Sequence, residues 1–328
     1  MINILKKFKF LFIILGLLLI FIICITTIKI DYVAYIPGNV DNVNDVIEID
    51  TPDKSNNYYS TSVSYLNSIT PFQKFVFDYL EDSKTYKKSK TITNKEDSLR
   101  GIIEHNSAIY QSIIAAYNEA GVDLDYKYLG TYVYYSKTDK LNIGDVILGS
   151  SYEECVNNLN NGVVEILRSN EKMSVTLTSD DLKLINLEYG YYEINNDKIK
   201  VYASNNEGPS AGFMQALKLY DDLVEENLAR DYKIAGTGTI DEDGNVGAIG
   251  CVDIKLFTAM YNNCDIFFVP KENKEEAEEA RKKMSTNMVI FYVDNINDAI
   301  MYLRALEWEN TIRKWITIRN YILNHMKF

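Results

Sequence analysis

A chain of 328 residues, 47% of them hydrophobic, has room for about two folded domains and enough apolar material to core them. That hydrophobic content excludes a disordered chain as the default, and 46 acidic against 34 basic side chains, a net charge of −12, argue against a nucleic-acid partner. The only histidines, His105 and His325, have no paired ligand nearby, and three of the four cysteines, Cys155, Cys251 and Cys264, have neither metal-ligand spacing nor an even count, so neither a metal, a cofactor nor a disulfide framework is expected.

From Phe10 to Ile28 the chain is almost continuously apolar. As a helix it would reach about 28 Å at 1.5 Å per residue, close to the hydrocarbon thickness of a bilayer. Lys6, Lys7 and Lys9 precede the run, and the positive-inside rule then predicts a cytoplasmic N-terminus with the rest of the chain on the outer face of the membrane. A cleaved signal peptide is the rival, but no small-x-small site follows, and Ile23 occupies the place where a lipoprotein site at Cys24 needs a small residue. A signal anchor over residues 1–30 is the expectation.

Residues 31–122 read as a separate extracytoplasmic segment. Asp31–Ile36 is a short strand ended by Pro37-Gly38, and Asn39–Asn57 a loop around Val46–Ile49. Tyr58–Leu66 alternates as a strand, Pro71–Leu80 has helical spacing, Asp82–Glu96 is an exposed connection, and a helix runs from Ser98 to Ala120, stopped by Gly121. His105 reads as a surface or packing histidine.

Residues 123–182 are β-rich. The runs Tyr128-Leu129-Gly130-Thr131-Tyr132-Val133 and Leu141-Asn142-Ile143-Gly144-Asp145-Val146-Ile147 precede a short helix, Tyr152–Leu159, and strands Val163–Leu167 and Met173–Thr178. This order resembles a PDZ domain. The resemblance places Tyr128, Leu129, Gly130 and Thr131 in a carboxylate-binding loop, whose N–H groups would hold a peptide C-terminus. A small β-rich spacer is the plainer reading of the same pattern.

Residues 183–306 carry the chemistry. Leu184–Glu193 and Lys198–Ala203 read as strands leading to the turn Glu207-Gly208-Pro209-Ser210-Ala211-Gly212, and Ser210–Leu228 as a helix. Ile234–Ile240 and Val246–Ile249 form a hairpin through Asp243-Gly244, and Asp253–Ala259 opens a helix bearing Lys255. Asp265–Val269 and Met288–Val293 are strands, Glu272–Lys283 an exposed helix, and Asn297–Leu306 a closing helix. Beyond it, residues 307–328 place Trp308, Ile312, Trp315 and Ile316 among Arg313, Lys314 and Arg319, a basic amphipathic helix suited either to an anionic membrane surface or to the preceding core.

A serine opening a helix is usually a cap, and a lone lysine a surface residue. Together, a serine in a Gly-Pro turn and a lysine among Ile249, Val252, Ile254, Leu256 and Phe257 suggest a Ser-Lys hydrolase. A buried amine titrates near working pH and so serves as base, and N–H groups at the helix start suit an oxyanion. Gly236-x-Gly238 lacks the third glycine of a dinucleotide fingerprint, and the Asp241/Asp243/Asn245 cluster lacks the closing glutamate of a calcium loop.

The stretch from Val201 to Leu306 resembles the proteolytic domain of the Lon peptidase family. That resemblance implies Ser210 as nucleophile, Lys255 as general base and Thr237 as the residue orienting the lysine, supported by Gly208, Pro209 and Ala211. The expected fold is α+β: a transmembrane helix, a PDZ-like β-rich domain and a Lon-type proteolytic α/β domain. No Gly-x4-Gly-Lys-Ser/Thr loop occurs, so ATP is not an expected partner. The whole order resembles bacterial membrane-anchored PDZ–Lon-like serine proteases, which implies an enzyme in a bacterial cell membrane that cuts unfolded or flexible extracytoplasmic proteins or peptides; the pattern is compatible with an oligomer. A membrane-tethered peptide-binding protein on an inactive peptidase fold is the alternative. A signal peptidase would need its serine close to the membrane, not beyond residue 200.

Overall fold

The computed structural model describes residues 8–51, 56–88, 93–204 and 206–306. The lysines before residue 8 and the basic segment 307–328 lie outside the described residues. The apolar run forms one helix, α1 (Lys9–Thr27), with no buried residue, long and apolar enough to cross a membrane. Its Thr26 and Thr27 hydroxyls donate back to carbonyls of the preceding turn, which hides two polar groups inside the helix.

After α1 the chain enters a central sheet; two small antiparallel pairs lie outside it, β2 (Ile47–Ile49) with β10 (Ile199–Val201) and β12 (Thr239–Ile240) with β13 (Val246–Gly247), as do the short helices α2 (Pro71–Tyr79) and α5 (Ser179–Leu182). Strand β1 (Tyr32–Asn42) pairs antiparallel with β3 (Tyr58–Leu66) on one side and β4 (Lys84–Lys87) on the other. Beyond β3 the sheet continues in parallel through β11 (Ile234–Gly236), β14 (Ile266–Pro270) and β15 (Val289–Val293), giving the six-stranded order β15-β14-β11-β3-β1-β4. Segment 31–122, expected to stand apart, therefore supplies half of this sheet. Pro37 does not end β1: a bulge between Pro37 and Val40 absorbs it, and Gly38 N–H there donates to Thr258 Oγ1 instead of a strand partner. The charged stretch after Asp82, expected as a connection, holds the edge strand β4.

One face of the sheet is covered by α3 (Asn94–Ala120), α6 (Gly212–Val224) and the closing helical stretch 296–306, with Ile113, Phe213, Leu217, Phe268 and Ile300 buried together. The other face carries α7 (Val252–Tyr261) and α8 (Lys274–Arg281), packed through Leu256, Phe257, Ala277 and Phe267. Neighbouring Phe267 and Phe268 point to opposite layers, as the period of two requires. Helix α3 starts from a Thr93/Glu96 capping box and ends at Gly121 in the left-handed conformation, so it runs longer than its apolar periodicity suggests.

Between α3 and the serine turn a second body is inserted. Strands β5 (Tyr126–Ser136), β6 (Val146–Leu148), β7 (Val163–Arg168), β8 (Glu171–Thr176) and β9 (Ile185–Ile194) form a five-stranded antiparallel sheet in the order β8-β7-β6-β5-β9. Helix α4 (Tyr152–Asn160) closes a small core of Val133, Ile147, Cys155, Val164 and Ile166. Strand β9 pairs with β5, so it belongs to this body and not to the segment leading to Ser210, and the expected boundary at 182/183 shifts past Ile194. Residues Tyr128–Thr131 lie inside β5: Tyr128, Gly130 and Thr131 are register partners of β9, Gly130 and Thr131 also of β6, Leu129 O accepts from Gly149 N–H at an irregularity in the ladder, and Thr131 is fully buried. They form a strand and not an open loop, and at Gly130 and Thr131 ladders run along both edges.

Candidate active site

The turn before α6 is shaped by two backbone constraints. Gly208 sits at φ +84°, a conformation that favours glycine, and its N–H donates to Gly101 O of α3 at 2.8 Å. Pro209 O accepts from Gly212 N–H at 3.1 Å, and α6 then starts at Gly212 with Ala211 as an N-cap that makes no side-chain bond. Ser210 is therefore not a helix cap. Its carbonyl is held by Gly238 N–H at 2.9 Å and Thr237 Oγ1 at 3.1 Å, which locks the serine onto the end of β11.

Helix α7 brings the amine. Lys255 extends back towards the helix start, as long side chains on helices do, and its Nζ lies 2.6 Å from Ser210 Oγ and 3.0 Å from Thr237 Oγ1. Only 4% of Lys255 is exposed. Burial lowers its pKa to about 8, a fall slightly opposed by the nearby Cys251 thiol. Thr237 gives its own proton to Ser210 O and accepts one N–H of Lys255, so the lone pair of a neutral amine is left free to face Ser210 Oγ. In that state it can take the hydroxyl proton. Neither Ser210 N–H nor Ala211 N–H has an acceptor among the described residues, and both lie just ahead of α6, at its positive end.

These groups meet in a cleft of about 320 Å³, walled by Thr61–Val63 of β3, by His105 and by Asn206–Gly208. His105 is buried rather than at the surface. Its Nε2 lies 2.9 Å from Ser204 Oγ, and burial lowers its pKa. Asp41 and Thr61 also line the cleft. Nothing local in the sequence marks these three, because each reaches the site through sheet pairing or helix packing far from the serine turn. Ser210, Lys255 and Thr237 converge as expected, with Gly208, Pro209 and Ala211 shaping the turn. Tyr128–Thr131 are not in this cleft.

Gly238 tests the scaffold. At φ +155°, a Cβ there would come within 2.7 Å of Val246 Cγ1 and 3.3 Å of Phe213 Cβ. Gly238→Ala is expected to destabilise the fold by about 1–3 kcal/mol and to displace Ser210 O, lowering hydrolysis more than tenfold. Chemical unfolding and peptide turnover on the same preparation check both effects.

Residues 158–305 match the family model described as the Lon protease (S16) C-terminal proteolytic domain. The chain is 24% identical over 184 residues to the Lon protease of Buchnera aphidicola subsp. Schizaphis graminum, a match covering 51% of this chain and 23% of that protein. It is 26% identical over 145 residues to the Lon protease of Dictyoglomus thermophilum, covering 44% of this chain and 18% of the relative. With the Lon protease of Haemophilus influenzae it shares 31% identity over 105 residues, 32% of this chain and 13% of the relative. The chain thus spans less than a quarter of the length of each of these curated relatives.

Proposed function

We propose that this chain, whose residues 158–305 match the Lon (S16) C-terminal proteolytic domain, is a serine peptidase of that type: a membrane-anchored endopeptidase that cleaves unfolded or flexible extracytoplasmic proteins without ATP. The observation that carries the reading is the 2.6 Å approach of a buried, depressed-pKa Lys255 amine to Ser210 Oγ. Neutral Lys255 takes the Ser210 proton as Oγ attacks the scissile carbonyl carbon. The oxyanion forms against the Ser210 and Ala211 N–H groups, and the lysine ammonium then protonates the leaving amine. Lys255, neutral again, activates the water that hydrolyses the acyl-enzyme and restores Ser210.

The exposed apolar helix α1 supports anchoring in a membrane, and Lys6, Lys7 and Lys9 ahead of its apolar run in the sequence support a catalytic body outside. The inserted five-stranded sheet is read as a PDZ-like module that presents substrates or governs access, through a surface other than Tyr128–Thr131. The test is hydrolysis of an unfolded protein by the purified full chain in nanodiscs. Turnover that is unchanged by ATP and absent from Ser210→Ala is expected. Equal turnover by wild type and Ser210→Ala would refute the assignment.

Thr237→Val removes the hydroxyl but keeps the β-branched shape. Losing one orienting hydrogen bond on a buried base is expected to lower kcat about 10–100-fold with KM little changed. Steady-state kinetics on a short peptide, normalised to the folded fraction from chemical unfolding of the same preparation, separates this from a folding defect, which lowers apparent kcat only by lowering the active fraction.

A further inference from the structure

Helix α2 (Pro71–Tyr79) presents an apolar face to solvent. Phe72, Phe75 and Tyr79, spaced i, i+3 and i+7, share one side, with Phe75 71% and Tyr79 84% exposed. Such a stripe on a short, well-formed helix is unusual for a surface element, and this helix is well formed: Thr70 and Gln73 make a complete capping box ahead of Pro71.

The location of the stripe identifies what covers it. Ile30, just past α1, bridges to Ile69 just ahead of α2, with Ile30 N–H donating to Ile69 O at 2.9 Å. Lys29 Nζ reaches Gln73 Oε1 at 3.3 Å, and Lys74 Nζ lies 4.8 Å over the Tyr32 ring. The stripe is thus fixed at the point where α1 ends, continuous with the apolar surface of α1. Lysines crowd the same end of the sheet: Lys87 pairs with Tyr32, and Lys88 N–H donates to Asp31 O. Aromatic rings flanked by lysines at the mouth of an apolar span have the chemistry of the headgroup boundary.

We propose that α2 docks in the interfacial layer of the membrane and, with α1, holds the catalytic body at two points. This rests on α1 being a membrane anchor. A single tether would let the body pivot; two points fix its tilt. Thr61 in the cleft is the register partner of Val40, roughly 25 Å along β1 from Tyr32 at about 3.3 Å per residue, so docking would set the height at which substrate is cut.

The experiment uses the full chain in vesicles of phosphatidylcholine and phosphatidylglycerol, with Trp308→Phe and Trp315→Phe as background. Three variants each add one reporter: Phe75→Trp on α2, Leu18→Trp within α1 and Tyr152→Trp on the inserted body. Bromines near the headgroup end of the acyl chains are expected to quench Phe75→Trp at least twofold and to leave Tyr152→Trp unchanged, while deep bromines quench Leu18→Trp. If Phe75→Trp is quenched no more than Tyr152→Trp while Leu18→Trp remains quenched, docking is wrong and anchoring stands. If Leu18→Trp is also unquenched, anchoring falls and docking with it. Protection of Phe75→Trp from aqueous acrylamide without bromine quenching would assign the stripe to a second copy of the chain and overturn the proposal.

Discussion

Ser210→Ala should reduce hydrolysis of an unfolded protein by about 10⁴-fold or more while leaving the fold intact. Of the two hydroxyls on the buried amine, Ser210 Oγ lines the cleft, whereas Thr237 Oγ1 is fully buried and gives its proton to Ser210 O, so removing the serine hydroxyl deletes the covalent route and not merely a contact. The stability change should stay within about 1 kcal/mol, because Lys255 keeps Thr237 Oγ1 at 3.0 Å when the serine hydroxyl is gone. Lys255→Met should cost about as much activity, and the double variant little more than either alone, since nucleophile and base act as one unit. Strictly additive losses would mean that the two side chains act in separate steps.

The pH profile gives the second large effect. A base works only when neutral, so activity should rise about tenfold per pH unit and level off near pH 8, where the buried Lys255 loses its proton. Lys255→Arg stays charged and should be inactive throughout. The same shift has a consequence for stability with a definite sign. The folded-state pKa of about 8 lies below the value of 10.5 that an unfolded chain gives lysine. Between those values the unfolded chain binds the extra proton, so stability rises with pH across that window, and below about 8 the cost of the buried ammonium is fully present. Lys255→Met should therefore stabilise the fold at neutral pH by an amount on the order of 1–3 kcal/mol, a gain that shrinks as pH climbs from 8 to 10.5. Denaturant unfolding at several pH values measures it; a lysine variant less stable than wild type at pH 7 would contradict the burial argument.

Much of the site was legible because its signals are local. Gly208-Pro209 dictates a turn, the apolar residues around Lys255 dictate a buried helix face, and Asp243-Gly244 dictates the hairpin that separates them. The errors arose where pairing is non-local. Pro37 reads as a strand end, yet a bulge carries β1 past it; Lys84–Lys87 reads as an exposed connection, yet β1 offers it an edge. Tyr128–Thr131 alternates and contains a glycine, which suits a loop or a strand equally, and only pairing with β6 and β9 decides for the strand.

The amino-acid sequence by itself determined the apolar span, the Gly-Pro turn at Ser210 and the presence of a helix after it, though that helix runs over Gly212–Val224 and not Ser210–Leu228, and the side-chain types needed for Ser-Lys chemistry, because each is set by a window of a few residues. Only the tertiary structure decided that the strands of segment 31–122 complete the catalytic sheet around an inserted body, that His105 reaches the cleft, and that Lys255 is dry. Desolvation is a property of all the atoms that exclude water from one amine, and those atoms come from parts of the chain that meet only when it folds.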